Sequence, residues 1–257
     1  MERRFAGRVA LVTGATAGIG RATAVRLAAE GALVGVNQRP TGDPTETLRR
    51  IKEAGGDGFP VVADMRDPAQ VIEMVQQVAR RGGRLDYVVS NAAINPFMKW
   101  NEATLEDYDK LFETNVRGTW VVCTEGAKQM IKEGHGGAIC MVSSISAYVG
   151  APGQTAYCGT KGAISMLAFA WRRRKQAADR NIYAVDFRDV GWAPPTKEAA
   201  AKREVASKDG NVVLVGGAHP TVATTSISGS YRLLPGARPE QICPHRDHPN
   251  GCLFRRH

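Results

Sequence analysis

The chain has no apolar run approaching the roughly 18 residues that a membrane span needs. Cysteine is sparse and odd in number: Cys123, Cys140, Cys158, Cys243 and Cys252 are scattered, without the spacing of a disulfide framework. The apolar segment behind Arg3 and Arg4, Val9-Ala10-Leu11-Val12, is too short for a signal peptide and runs into a glycine-rich turn instead of a cleavage site. These absences predict a protein of a reducing compartment, cytoplasmic and off the membrane.

A binding site for nucleic acid is also missing, although the formal net charge is +9. Residues 1–170 hold 19 Lys and Arg against 17 Asp and Glu, whereas residues 171–257 hold 15 against 8. The basic excess therefore belongs to the last third and comes with no nucleic-acid motif. Cys243, His245, His248 and Cys252 lack the spacing of a zinc finger, and no metal is expected.

What is present is a strict alternation. With 43% apolar residues in 257, there is enough to build one large core. Strand-like runs at Val9–Thr13, Ala32–Asn37, Phe59–Ala63, Tyr87–Ser90 and Ala138–Ser143 are separated by helix-like segments. Those helices are read at Gly18–Glu30, Glu46–Ala54, Ala69–Arg80, Leu105–Met130 and Thr155–Ala170. Alternation with short connections predicts an α/β fold, a doubly wound parallel sheet with helices on both faces. Ligands of such sheets bind beyond the carboxyl ends of the strands, and the motifs fall there.

Thr13-Gly14-Ala15-Thr16-Ala17-Gly18-Ile19-Gly20 closes the first strand and opens the first helix. Glycines permit a tight turn, and a helix N-terminus supplies free N–H groups and a favourable dipole for a pyrophosphate. The candidate contacts are Gly14, Thr16, Ala17, Gly18, Ile19 and Gly20. At the end of the second strand, Asn37-Gln38-Arg39 contains no acid to hold a free ribose 2′-hydroxyl and one guanidinium able to hold a 2′-phosphate. NADP is therefore favoured over NAD, with Arg39 carrying the preference. Asp64, with Met65 beside it, ends the third strand as an acceptor for an adenine amino group, and Asn91 and Ala92 end the fourth as lining.

Ser144, Tyr157 and Lys161 carry the chemistry. Spacing of i,i+4 puts Tyr157 and Lys161 on one helix face. A phenol of ordinary pKa near ~10 is a poor base at neutral pH. An ammonium one turn away, together with the positive nicotinamide ring of an oxidised cofactor, predicts a lowered value and a proton exchanged with a substrate oxygen.

Four motifs in this order resemble the short-chain dehydrogenase/reductase family: Thr13–Gly20, Asn91-Ala92-Ala93, Thr114-Asn115-Val116-Arg117-Gly118, and Ser144 with Tyr157-Cys158-Gly159-Thr160-Lys161. The resemblance implies a Rossmann-like fold and hydride transfer between a nicotinamide cofactor and a small alcohol or carbonyl. It makes Tyr157 the general acid/base, Lys161 the ribose ligand, Ser144 the carbonyl polariser and Asn115 the holder of a relay water. Family spacing selects Ser144 over Ser143. Ala17 stands where many NADP members carry a base, leaving the preference to Arg39. Local likeness around Ser143–Ala147 and Gln154 points toward sugar-oxidising members, with Ser146, Asn95 and Gln154 as a polar pocket wall. Family members are dimers or tetramers built on the segments 105–130 and 155–170, so a homo-oligomer is expected.

The resemblance covers residues 1 to about 170. Asn181–Val185 passes for part of a sixth strand, and Asn211–Gly217 is the other later candidate. Residues 171–257 hold seven of the thirteen prolines and four of the five histidines. The region is read as atypical and partly structureless. An altered reading frame or exon boundary near Trp171 is the hypothesis for it, and transcript sequence uninterrupted across that junction would remove it. A sheet lacking its last strands would keep an open edge beside the nicotinamide half of the site. The alternative reading is then a catalytically defective relative that binds nucleotide or a partner.

Overall fold

Strand β1, Val9–Val12, is buried along its whole length. A four-residue apolar run with no polar alternation is what a strand covered on both faces requires. Its side chains alternate between two cores: Val9 and Leu11 enter one with Val75, Val78, Val122 and Ile139, and Ala10 and Val12 the other with Leu27, Val34, Val36 and Ile51. In the computed structural model, residues 3–172 and 182–186 are described, apart from the side chains of 172 and 182–186.

The remaining elements are α1 (Gly18–Ala29), β2 (Leu33–Gln38), α2 (Thr45–Glu53), β3 (Asp57–Val62), α3 (Pro68–Gly82), β4 (Tyr87–Ser90), α4 (Leu105–Phe112), α5 (Gly118–Glu133), β5 (Gly137–Met141), α6 (Thr155–Arg172) and β6 (Ile182–Asp186). The strands lie in the order β3-β2-β1-β4-β5-β6, and every pair is parallel. Pro60 is tolerated because β3 is an edge strand of the described sheet. The strand order reverses direction between β1 and β4, and the crevice above that switch point is where such sheets take a ligand.

Local signals place the helices. Asp67 caps α3 by accepting from Ala69 N at 2.9 Å and Gln70 N at 3.2 Å, with Pro68 in the first turn. Thr104 and Asp107 form a reciprocal capping box at the start of α4. Gly83 and Gly134, at φ 74° and 77°, stop α3 and α5 in the left-handed conformation.

Two expectations are corrected. The segment 105–130 is not one helix: a π-helical turn over Glu113–Arg117 separates α4 from α5. One extra residue per turn re-aims the side chains after it, which apolar periodicity does not reveal. The sheet also does not stop at β5, and the strand read at Asn181–Val185 is present as β6. Strand β6 pairs with β5 in parallel register, Ala138 opposite Tyr183 and Cys140 opposite Val185, so the edge of β5 expected to be open is covered. The strand candidate Asn211–Gly217 and the Cys243–Cys252 cluster lie outside the described residues. No helix of the described residues is long and apolar enough to cross a membrane.

Candidate active site

The turn after β1 is built from both ends. Gly14 and Gly18 have φ of 60° and 53°, the left-handed region where only glycine is unstrained. A side chain at Gly14 would press on Ala92 Cα at 2.8 Å, and one at Gly20 would collide with the Gly14 carbonyl and Asn91. Side chains from four elements then hold the turn. Asn37 Oδ1 accepts from Gly14 N at 3.0 Å, and Asn91 Nδ2 donates to Thr13 O at 2.9 Å. Thr47 Oγ1 donates to Ala15 O at 2.8 Å, and the Arg21 guanidinium donates to Thr16 O.

Thr13, fully buried, accepts at its hydroxyl from Asn91 N at 2.9 Å and Ala92 N at 3.0 Å, tying β1 to the end of β4. Thr13→Val keeps the shape and strands two N–H groups. At roughly 1–3 kcal/mol for each stranded group, we expect about 2–6 kcal/mol of lost stability. Urea unfolding measures this, and a loss under ~1 kcal/mol would show the hydroxyl to be dispensable.

The N-terminus of α1 is left uncapped. Ala17 sits at the N-cap with no side-chain hydrogen bond, and the first turn holds no acid. A helix start without a capping side chain, following directly on the turn after β1, is the arrangement that binds a phosphate.

At the end of β2, Asn37 is buried and committed to protein, bonding Gly14 N and the carbonyl of Ala63 at 3.3 Å. Gln38, unremarked in the sequence beyond its neighbours, holds a buried Oε1 with no hydrogen-bond partner among the described residues. Arg39 is exposed, and no ion pair engages its guanidinium among the described residues. Asp64 leaves the neighbouring β3, and its carboxylate is taken by Arg66, Nη2 to Oδ2 at 2.9 Å. That hydrogen bond holds Asp64 below the usual carboxylate range. The side chain of Met65 is buried in the core, so only its backbone remains to meet a ligand.

Ser144 follows β5, and Tyr157 and Lys161 stand in the first turns of α6. The Ser144 hydroxyl stands close enough to the Tyr157 phenol to lower its pKa and accepts from Ser146 N at 3.1 Å. Lys161 is buried, 3% exposed, with Nζ 5.6 Å from the Tyr157 ring centre. Ser143 is turned the other way: its hydroxyl donates to Lys161 O at 2.9 Å and meets Ser165 Oγ at 2.7 Å. It fastens the strand end to α6.

The electrostatics differ from the sequence-based expectation. Burial pushes the Tyr157 phenol up, and the Ser144 hydroxyl opposes it. Lys161 Nζ donates to Val142 O at 2.8 Å, and burial pulls its ammonium down to about 8.

Asn115 occupies the π-helical turn, fully buried. Its Oδ1 accepts from Ile94 N at 2.9 Å, while Nδ2 donates to Ile94 O at 2.9 Å and Thr160 Oγ1 at 3.2 Å. Thr160 in turn donates to Tyr157 O at 2.7 Å. The side-chain amide thus braces the loop after β4 against the helix bearing Tyr157.

The short chain dehydrogenase family profile matches residues 8–187. An L-rhamnose 1-dehydrogenase (NAD(P)(+)) from a Sphingomonas species is 36% identical over 63% of this chain and 64% of its own length. Versicolorin reductase 1 from Aspergillus parasiticus is 40% identical over 63% of this chain and 62% of its own. The chain thus spans under two thirds of these curated relatives. A short chain dehydrogenase from Burkholderia cenocepacia, solved in complex with NADP, superposes with a TM-score of 0.65 at 31% identity, covering 71% of this chain and 74% of that one. With its six parallel strands in register, its glycine turn and its Ser144–Tyr157 contact already traced, the chain belongs to the short chain dehydrogenase family.

Proposed function

We propose that the protein is an NADP(H)-dependent oxidoreductase that interconverts a secondary alcohol and a carbonyl. One observation carries the reading: the Ser144 hydroxyl stands beside the Tyr157 phenol at the carboxyl end of β5, with Lys161 buried one turn further along α6. A bound nicotinamide would supply the hydride donor or acceptor at carbon.

The chain's own residues fit such a cofactor. The uncapped start of α1 would take the pyrophosphate, Gln38 Oε1 would gain a ribose or adenine donor, and Arg39 would take the 2′-phosphate. Asp64, Asn91 and Ala92 would flank the adenosine. Tyr157 Oη would give a proton to the substrate oxygen in reduction and receive it in oxidation. Ser144 Oγ would donate to the same oxygen as charge develops there. Lys161 Nζ has donors beyond the one on Val142 to hold ribose hydroxyls. The Asn115 amide is occupied, so a relay water would have to use backbone or the remaining lone pair on Oδ1.

A sugar is a weaker substrate than the polar wall suggested. Ser146 Oγ donates to Gln154 Oε1 at 3.3 Å, so these two polar groups bond each other. The segments around them, after β4 and before α6, expose Phe97, Trp100, Ile145 and Val149. An apolar or aromatic secondary alcohol or ketone suits that rim. Self-association through α4, α5 and α6 is supported by exposed Leu105, Trp120 and Met166 on those helices. The scattered cysteines suit a cytoplasmic location.

Turnover of a panel of aromatic ketones and aldoses, with NADPH and NADH side by side, tests this reading. We expect NADPH-dependent ketone reduction to exceed aldose oxidation. No turnover of any member with either cofactor would remove the enzyme assignment.

A further inference from the structure

Arg39 and Asp64 leave neighbouring strands at the same edge of the crevice. Gln38 pairs with Val62, and Ala63 N donates to Gln38 O at 2.9 Å, so the two charged residues follow directly on a paired stretch. A carboxylate in that place has two effects on a 2′-phosphate. It repels the phosphate directly, and it competes for the Arg39 guanidinium that would bind it.

The structure neutralises this carboxylate with a third residue. Arg66 grips both oxygens of Asp64, Nε at 3.3 and 3.2 Å and Nη2 at 2.9 Å, while Arg66 N donates to Oδ1 at 2.9 Å. The loop around the pair is braced from several sides. Asp67 N donates to Asp64 O at 3.0 Å, and Asp64 N donates to Gln70 Oε1 at 3.0 Å. Arg117, in the π-helical turn, donates to the Arg66 carbonyl at 2.8 Å. The backbone of residue 66 is therefore held whatever its side chain, and the guanidinium is presented to Asp64 by a fixed loop.

We propose that Arg66 is a specificity-determining positioning residue: by pairing with Asp64 it keeps Arg39 available and lets the adenosine end of the crevice accept a 2′-phosphate. The inference rests on the nicotinamide-binding reading above, but not on NADP being preferred by the wild type. An adenine contact from Asp64 would be common to both cofactors and cancels in their ratio. The 2′-phosphate does not cancel.

The test is titration of NADPH and NADH by protein-quenched fluorescence on the full chain, for the wild type, Arg66→Gln and Arg66→Gln/Asp64→Asn. Arg66→Gln is expected to weaken NADPH relative to NADH by about tenfold at low salt, less at high salt. The double variant is expected to return the ratio to within about twofold of the wild type. A ratio unmoved by Arg66→Gln, or not restored when the carboxylate is also removed, overturns the proposal. A wild type that binds NADH better than NADPH removes the NADP preference argued earlier, while the change in ratio still decides the role of Arg66. A wild type that binds neither overturns both.

Discussion

Tyr157→Phe is expected to lower turnover about a thousandfold while leaving NADPH affinity within a factor of two. The substitution deletes one oxygen from a half-buried ring and leaves its packing in place. In reduction the substrate oxygen becomes an alkoxide as hydride arrives, and Tyr157 Oη is the group with a proton to give it. Ser144, which stands beside that phenol, can donate to the same oxygen but does not replace the transferred proton. The pH dependence follows from the raised phenol. Reduction needs the protonated form, which persists across neutral pH and is lost only as pH climbs through the raised value. Oxidation needs the phenolate, so its rate should rise over the same alkaline range. Steady-state rates in both directions, with direct titration of NADPH, measure this. Unchanged turnover of an active ketone would remove Tyr157 from the chemistry.

Lys161→Met is expected to abolish activity and raise stability at neutral pH. The ammonium is 3% exposed and, among the described residues, has one protein acceptor, Val142 O at 2.8 Å. Burial depresses it from 10.5 to about 8, a desolvation cost of about 3 kcal/mol. The sign follows from proton counts. Between pH 8 and 10.5 the unfolded chain binds the proton that the folded protein has released, so wild-type stability rises with pH there. Below about 8 both states are charged and the full cost is present. Methionine removes that cost and forfeits one hydrogen bond worth about 1 kcal/mol, leaving a net gain of about 2 kcal/mol at pH 7. The gain should shrink toward alkaline pH as the wild type sheds its charge. Denaturant unfolding at pH 7 and pH 10 measures it, and a variant less stable at pH 7 would mean that the ammonium stabilises the fold. A buried cation kept at a stability cost is what a binding role for a polyhydroxylated ligand would require.

Much of the fold was legible because its signals are local. Val9–Val12 is apolar without alternation, and Tyr87–Ser90 is bounded by turn chemistry; both strands appear where the sequence places them. The π-helical turn at Glu113–Arg117 was not legible, since the residues of the segment are ordinary helix residues and the extra one is accommodated by packing. The strand at Asn181–Val185 was legible and appears as β6, Ile182–Asp186, but its pairing was not. Its partner is β5, more than forty residues upstream, and pairing with a distant strand leaves no local mark beyond a short apolar run. At the candidate site, the glycine turn and the Tyr157–Lys161 spacing were legible. The duty of one neighbour was not: Asn115 is expected to hold a relay water but spends its amide on the Ile94 backbone and the Thr160 hydroxyl.

The sequence by itself determined the parallel α/β architecture, the glycine turn and the placing of Ser144, Tyr157 and Lys161 at strand and helix ends, because periodicity, glycine conformation and i,i+4 spacing act over a few residues. Only the tertiary structure decided where charge settles. Burial, not the neighbouring lysine, governs the Tyr157 phenol, and Arg66, not an empty crevice, meets Asp64. Desolvation and ion pairing depend on what surrounds a group in space, and that is fixed only when distant segments close around it.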